Sequence, residues 1–198
     1  MGSEKKTGDN DKIKMLYFIT GNKHKFAEAK AVLPELEQLD IDLPEIQEIN
    51  PKIVLKAKLE EARKLHQGNF VVEDTSLYLE CINGLPGPLF KWFFKAIGRE
   101  GVVNLTKKMG DNRVEAKTEV AYYLTQGGIS YFEGVVKGYV VDPRGESGFG
   151  WDPIFMPEGF DKTYAQVNDE EKAKIGMDKP RKLAFEKLKE YLNSLSGI

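Results

Sequence analysis

The sequence predicts an α/β fold around a mixed sheet, and three observations carry that prediction. Short apolar runs alternate with helix-patterned segments at the start of the chain, two long alternating segments meet at a Gly-Gly pair further on, and two helical segments close it. Of 198 residues, 41% are hydrophobic and 11% aromatic, enough apolar material for one sizeable core, so a single domain over residues 15–198 is expected.

The elements follow in order. Residues 15–20 (MLYFIT) form an apolar run closed by Gly21, a buried strand, and Asn22 then caps a helix reaching about Leu33. A second strand is expected near residues 38–43. Asn50-Pro51 supplies an N-cap and an N1 proline for a helix ending near Gly68, and residues 69–74 (NFVVED) form an apolar strand with acids at its C-terminal end. Residues 84–88 (GLPGP) read as a rigid loop, and KWFFKAIG and VVNLTKKM as two helices. Residues 113–126 and 129–141, joined by Gly127-Gly128, make a β-hairpin with long arms. A glycine-rich loop covers residues 143–153, followed by a polar helix from about Asn168 and an amphipathic one from about Pro180. There are no internal repeats.

Charge and composition remove several classes of function. The 29 basic and 31 acidic residues nearly cancel, so no basic field draws the chain to nucleic acid or to an anionic membrane. A phosphorylated ligand would need a local cationic pocket. No run of about 18 apolar residues is present for a membrane span, and residues 1–14 lack the apolar core of a signal peptide, so they read as a polar extension outside the fold. A lone cysteine, Cys81, excludes an intramolecular disulfide and a multi-thiolate zinc site, which suits a cytoplasmic protein.

Four features carry chemistry. The first is TGNKHK, from Thr20 through Gly21, Asn22, Lys23 and His24 to Lys25, at a strand-to-helix junction. Helix N–H groups, a hydroxyl and two lysines suit a phosphate there, although a plain turn with solvated lysines accounts for the same residues. The P-loop spacing is absent. The second is a set of acids. Glu45 follows a proline, and Glu73 and Asp74 stand at a strand's C-terminal end, where open α/β sheets place ligands. Hard oxygens of this kind suit magnesium, which takes one or two carboxylates beside substrate phosphates; a solvated loop acid is the plainer reading of Glu45.

Lys56, the third, falls on the polar side of its helix with Lys52, Glu60 and Arg63, as a solvated lysine would. The fourth is FGWDP. Gly148 and Gly150 permit close backbone approach, Phe149 and Trp151 offer flat rings to a base, and Asp152 can accept hydrogen bonds from ring nitrogens. A structural turn burying two aromatics is the rival reading.

Taken in order, TGN with its lysine, LPE, VLKAKLEEA, VVEDTSL, GLPGP with KWF, DNR, FGWDP and EEK resemble the inosine triphosphate pyrophosphatase family over nearly the whole chain from Leu16. The resemblance implies an elongated mixed sheet flanked by helices, with two lobes around a nucleotide-binding cleft, and a homodimer. It implies Mg2+-dependent hydrolysis of non-canonical purine nucleoside triphosphates (ITP, dITP, XTP) to monophosphate and pyrophosphate. By the same resemblance Thr20, Asn22, Lys23, Lys25 and Lys56 bind the triphosphate, and Glu45 and Asp74 hold the metal with Glu73 and Thr75 beside them. Asp74 also takes the proton, while Phe149, Gly150, Trp151, Asp152 and Lys172 form the base pocket.

The chain departs from the family pattern after EEK, where Met177-Asp178 stand at the ungapped positions of a His-Arg pair that recognises the purine 6-keto oxygen. Arg181, or Lys179, is the expected substitute donor. Two other readings share parts of this set: a nucleotide sensor without catalysis, which has no need of both Glu45 and Asp74, and a hydrolase of modified pyrimidine triphosphates.

Overall fold

The computed structural model describes residues 15–124, 127–148 and 150–196; the expected N-terminal extension lies outside them. Among the described residues there are seven strands, β1 (Leu16–Ile19), β2 (Leu36–Leu39), β3 (Asn69–Leu79), β4 (Pro86–Gly87), β5 (Arg113–Leu124), β6 (Gly128–Val140) and β7 (Phe155–Pro157). They form one sheet in the order β2-β1-β3-β5-β6-β7, with β4 paired to the far half of β3. β1 runs parallel to β2 and β3, and the other pairs are antiparallel. The helices are α1 (Lys23–Val32), α2 (Pro51–Leu65), α3 (Phe90–Met109), α4 (Asp169–Ile175) and α5 (Pro180–Ser196). Among the described residues no helix is long and apolar enough to cross a membrane.

Side chains alternate across the sheet, and the two faces bury different helices. Leu16, Phe18, Val71 and Val120 pack with Ala29 of α1 and Phe185 and Leu188 of α5. On the other face Ile19, Phe70, Val72 and Ala121 pack with Leu55, Leu59 and Ala62 of α2. A third core, around Leu77, Leu79, Val102, Ile154, Phe155 and Tyr164, joins the far half of the sheet to α3 and to the turns before α4, so the chain has two lobes.

The register opens the cleft between them. β1 stops at Ile19, whereas β3, in step with it from Leu16↔Asn69 to Phe18↔Val71, continues to Leu79. Residues 73–75 therefore emerge beside the turn after β1, at an edge with no parallel neighbour, where side chains from both faces reach one space.

Several expectations shift in detail. The second strand is Leu36–Leu39 rather than 38–43, because its length is set by pairing with four-residue β1; the chain beyond it, through Glu45, is irregular. β3 outlasts its apolar run by five residues, carried past Asp74 by its antiparallel pairing to β5. The GLPGP loop contains β4. The two helical segments after it form one kinked element, bent at Gly98, whose φ of 66° and ψ of −174° interrupt the helix. The hairpin arms end at Leu124 and begin again at Gly128; residues 125–126 lie outside the described set.

Candidate active site

The cleft holds a cavity of about 880 Å³, lined by Thr20, Gly21, Asn22, His24 and Lys25 of the first turn, by Glu45 and Lys58, by Glu73, Asp74 and Thr75, and by Gly150, Trp151, Asp152, Lys179 and Arg181. These residues come from six separate stretches of chain, so the wall exists only in the folded molecule.

At one end, the turn after β1 is organised around its own side chains. Thr20 Oγ1 accepts from the Asn22 N–H at 3.1 Å, and Asn22 Oδ1 accepts from the N–H groups of His24 at 3.0 Å and Lys25 at 3.2 Å. The N-cap predicted at Asn22 is present, and it already satisfies two of the orphan N–H donors of α1. An anion here would meet the helix dipole and the lysines more than a row of open amides. Lys25 turns inward to Glu73 Oε1 at 2.6 Å; Lys23 is exposed and outside the lining.

On β3, neighbouring acids differ sharply. Glu73 is buried and receives Lys25 on Oε1 and the Arg181 Nε–H on Oε2 at 2.7 Å. Burial alone would raise its pKa, but the charges of Arg181 and Lys25 outweigh that and hold it at about 2. Asp74 points from the opposite face, is half-buried, and accepts from the Ser76 hydroxyl at 2.6 Å. The hydroxyls of Thr75 and Thr118 lie 2.8 Å apart, and Arg181 Nη2 donates to Thr75 at 3.2 Å.

Glu45 sits on the opposing rim, with Lys58 Nζ at 3.3 Å and Lys91 Nζ at 2.6 Å. Its partial burial works to raise the pKa, yet these two lysines leave it below the usual carboxylate range. Lys56, two residues from Lys58, is rotated about 200° away; it is 60% exposed, pairs with Glu60 at 3.8 Å and lies outside the lining.

At the other end, Trp151 packs edge-on against Phe155 at 5.0 Å while still lining the cavity. Phe149 lies outside the described residues. Asp152 is buried at 3% exposure beneath Gly148, where a Cβ would stand 2.5 Å from Asp152 Oδ2. Only glycine leaves the carboxylate room. Gly150 is tied to α3 by its carbonyl, which accepts from Arg99 Nε at 2.7 Å. Lys172 is buried against Asp169 at 2.9 Å and does not reach the lining.

The segment after α4 supplies two inward cations. Met177 is buried in the far core, and Asp178 pairs with Lys182 at 2.6 Å. Beyond them Lys179 Nζ reaches Glu28 at 3.0 Å and Asp152 Oδ2 at 2.9 Å. Arg181 bonds Glu28, Glu73 and Thr75. α5 can bring these residues in because its first turn lies against Gly134, where a Cβ would come within 2.0 Å of the Pro180 carbonyl oxygen.

Comparison with known proteins fits this arrangement. Residues 16–191 match the model of the Ham1 family. The chain belongs to the Ham1 family. It is 39% identical over 186 residues to an inosine triphosphate pyrophosphatase of Schizosaccharomyces pombe, covering 92% of this chain and 97% of that protein. It is 37% identical to a dITP/XTP pyrophosphatase of Methanopyrus kandleri, covering 91% and 97% respectively. Among solved structures it resembles the Ham1 protein of Staphylococcus aureus, with a TM-score of 0.73 and 26% identity over 90% of this chain and 98% of that one.

Within this Ham1 chain the cavity gathers Thr20, Gly21, Asn22, His24, Lys25, Glu45, Glu73, Asp74, Thr75, Gly150, Trp151, Asp152 and Arg181, and leaves Lys23, Lys56 and Lys172 outside its lining. Sequence reasoning passed over Glu28, Lys58 and Lys91, which line it too. A signal for Lys58 existed: it stands four residues after Val54, which falls on the apolar face of α2, so it borders that face.

Proposed function

We propose that this chain hydrolyses non-canonical purine nucleoside triphosphates such as ITP, dITP and XTP to the monophosphate and pyrophosphate. The observation that carries the reading is the single cavity wall joining the cationic turn at Thr20–Lys25, the acids Asp74 and Glu45, and the Trp151-Asp152 corner. The names borne by the two relatives agree with it.

Magnesium fits the donor set. Among the described residues no three or more His, Cys, Asp or Glu side chains are gathered for a metal, but magnesium needs only one or two carboxylates and completes its shell with water and phosphate oxygens. Asp74 and Glu45 would hold it. Glu73 is the acid least available, since both its oxygens are engaged by Lys25 and Arg181. When bound, the ion would supply charge neutralisation on the phosphates.

The chain's own residues then divide the work. Asp74, kept in place by Ser76, takes the proton of a water attacking the α-phosphorus in line with departing pyrophosphate. Lys25 and Lys58 stand in the lining to balance charge on the triphosphate, and Lys91 reaches the same rim through Glu45. Trp151 offers a ring face to the base. The reading includes a homodimer and a cytoplasmic site of action, supported by the family resemblance and by the lone thiol of Cys81.

Phosphorus NMR of ITP or XTP incubated with protein and magnesium tests it. Monophosphate with intact pyrophosphate is expected; orthophosphate with a diphosphate as first products would overturn the assignment.

A further inference from the structure

β3 and β5 pair so that Thr75 stands directly opposite Thr118, and the next position across, on β6, is Gly134. Residues opposite one another in an antiparallel pair share a face, and here the two hydroxyls meet at 2.8 Å. Because Gly134 has no side chain, the first turn of α5 rests directly on the sheet, with the Pro180 carbonyl oxygen 2.0 Å from where a Cβ would stand. That approach brings in Arg181, whose Nη2 donates to Thr75 Oγ1 at 3.2 Å. Both threonines border the cavity near Asp74, but Thr118 is wholly buried, at 0% exposure, whereas Thr75 is only partly buried.

A hydroxyl carries one hydrogen and two acceptor lone pairs. Among the described residues the two hydroxyls have no hydrogen bonds beyond these, so their hydrogens have two arrangements. If Thr75 donated to Thr118, the hydrogen of Thr118 would be left without an acceptor where water does not reach, which folded proteins avoid. If Thr118 donates to Thr75, the buried hydroxyl is satisfied. Thr75 then accepts twice, from Thr118 and from Arg181, and its own hydrogen is the only bonding capacity it has left. The neighbouring carboxylates are engaged elsewhere, Glu73 by Lys25 and Arg181 and Asp74 by Ser76. The free hydrogen therefore faces the cavity.

We infer that Thr118 is a positioning residue which, with Arg181, fixes Thr75 as a one-way donor to a phosphoryl oxygen of the bound nucleotide. An ionised phosphoryl oxygen only accepts, so it complements a group that can only donate, and a hydrogen bond to a charged acceptor is the stronger kind. Thr118 does not touch the ligand; it acts through Thr75. This deepens the nucleotide reading above and rests on it for the identity of the ligand.

The test compares binding of IMP with that of inosine, which lacks the phosphate, by calorimetry on the full chain, so that it does not depend on hydrolysis. Thr118→Val keeps the shape and removes the hydroxyl; it should weaken IMP by about 2- to 12-fold, the range of one ordinary hydrogen bond, and leave inosine unchanged. Thr118→Ser keeps the hydroxyl and loses a buried methyl; it should bind IMP as wild type does. A packing role predicts the opposite order, with serine the more damaging. Should the valine variant fail to fold, Thr118→Ala set against Thr118→Ser reads the same hydroxyl. Thr75→Val should weaken IMP by about 10- to 150-fold, as loss of a bond to a charged group does, and adding Thr118→Val to it should change nothing further.

A folded Thr118→Val protein that binds IMP as tightly as wild type, an equal loss for inosine, a serine variant as weak as the valine one, or additive losses in the double variant each overturns the inference. Wild-type protein that shows the expected binding pattern but leaves ITP intact would instead overturn the catalytic reading and leave the role of Thr118 standing.

Discussion

The inner wall of the cavity and its outer rim use the same residue types in opposite ways. Along the inner wall, Glu73 and Arg181 have side-chain exposures of 2% and 11%, and each charge has at least one bonded partner of opposite sign. On the rim, Glu45 and Lys91 are 39% and 66% exposed, and Glu45 is shared between this solvated lysine and Lys58, which is 11% exposed. Buried charges left without partners cost several kcal/mol, whereas exposed pairs are worth about 0–1 kcal/mol. The inner row is therefore a frame that cannot move cheaply, and the rim is a set of groups able to exchange protein partners for a ligand's phosphates and metal. Asp74 belongs with the rim in this sense: a single hydroxyl, that of Ser76, holds it, one residue along the strand from the anchored Glu73.

Neutralising the two neighbouring acids in turn separates frame from rim. Asp74→Asn should cut kcat by about 100- to 10,000-fold, the usual contribution of a general base, with the melting temperature little changed. Wild-type turnover in that variant would remove Asp74 from the chemistry. Glu73→Gln should do the reverse in kind, leaving Arg181 and Lys25 short of charge and costing about 3–5 kcal/mol of stability, read by urea denaturation. A loss below about 1 kcal/mol would place Glu73 among the exposed pairs instead.

Acid titration addresses the same buried charge. Glu73 has its folded pKa depressed from the ordinary 4.5 to about 2, so its stabilising contribution is complete above about pH 4.5 and is lost as pH falls through that value towards 2. Unfolding free energy measured from neutral pH downward should decline in this window, and Glu73→Gln should flatten that decline. An identical slope in both proteins would deny Glu73 its part.

The smallest effects separate two lysines on one helix. Lys58→Ala should raise KM for the triphosphate by about tenfold, the equivalent of about 1.4 kcal/mol. Lys56→Ala, on the solvated side, should stay within about 0.5 kcal/mol in stability and leave KM unchanged. Equal effects would mean that the cavity lining does not report which lysine meets substrate.

How much of this could be read beforehand follows from the range of the forces involved. The strand, turn and N-cap around Thr20 and Asn22 were legible because local sequence decides them: an apolar run, a glycine and a side chain that satisfies the next helix's own amides. The helix starts at Pro51, Asp169 and Pro180 were legible for the same reason. β3 looked shorter than it is because its polar second half is held by pairing with the distant strand β5 rather than by apolar periodicity.

Lys58 was overlooked beside Lys56: its place bordering the apolar face of α2 separates the two, but that place alone does not tell a cavity from a packed core. The inner row was least visible of all. Lys179 was named only as an alternative donor to a base, and Glu28 looks like an ordinary solvated charge until folding brings the two, 151 positions apart, within 3.0 Å.

Attack of water on the α-phosphorus is the step on which the division of labour in the cavity depends, and isotope labelling reads it without any variant. Hydrolysis of ITP by the protein in water carrying heavy oxygen should place the label in the monophosphate, as mass spectrometry of the separated products would show. Label in the pyrophosphate instead would mean attack at the β-phosphorus, and would contradict the roles of Asp74 and of the cavity around it.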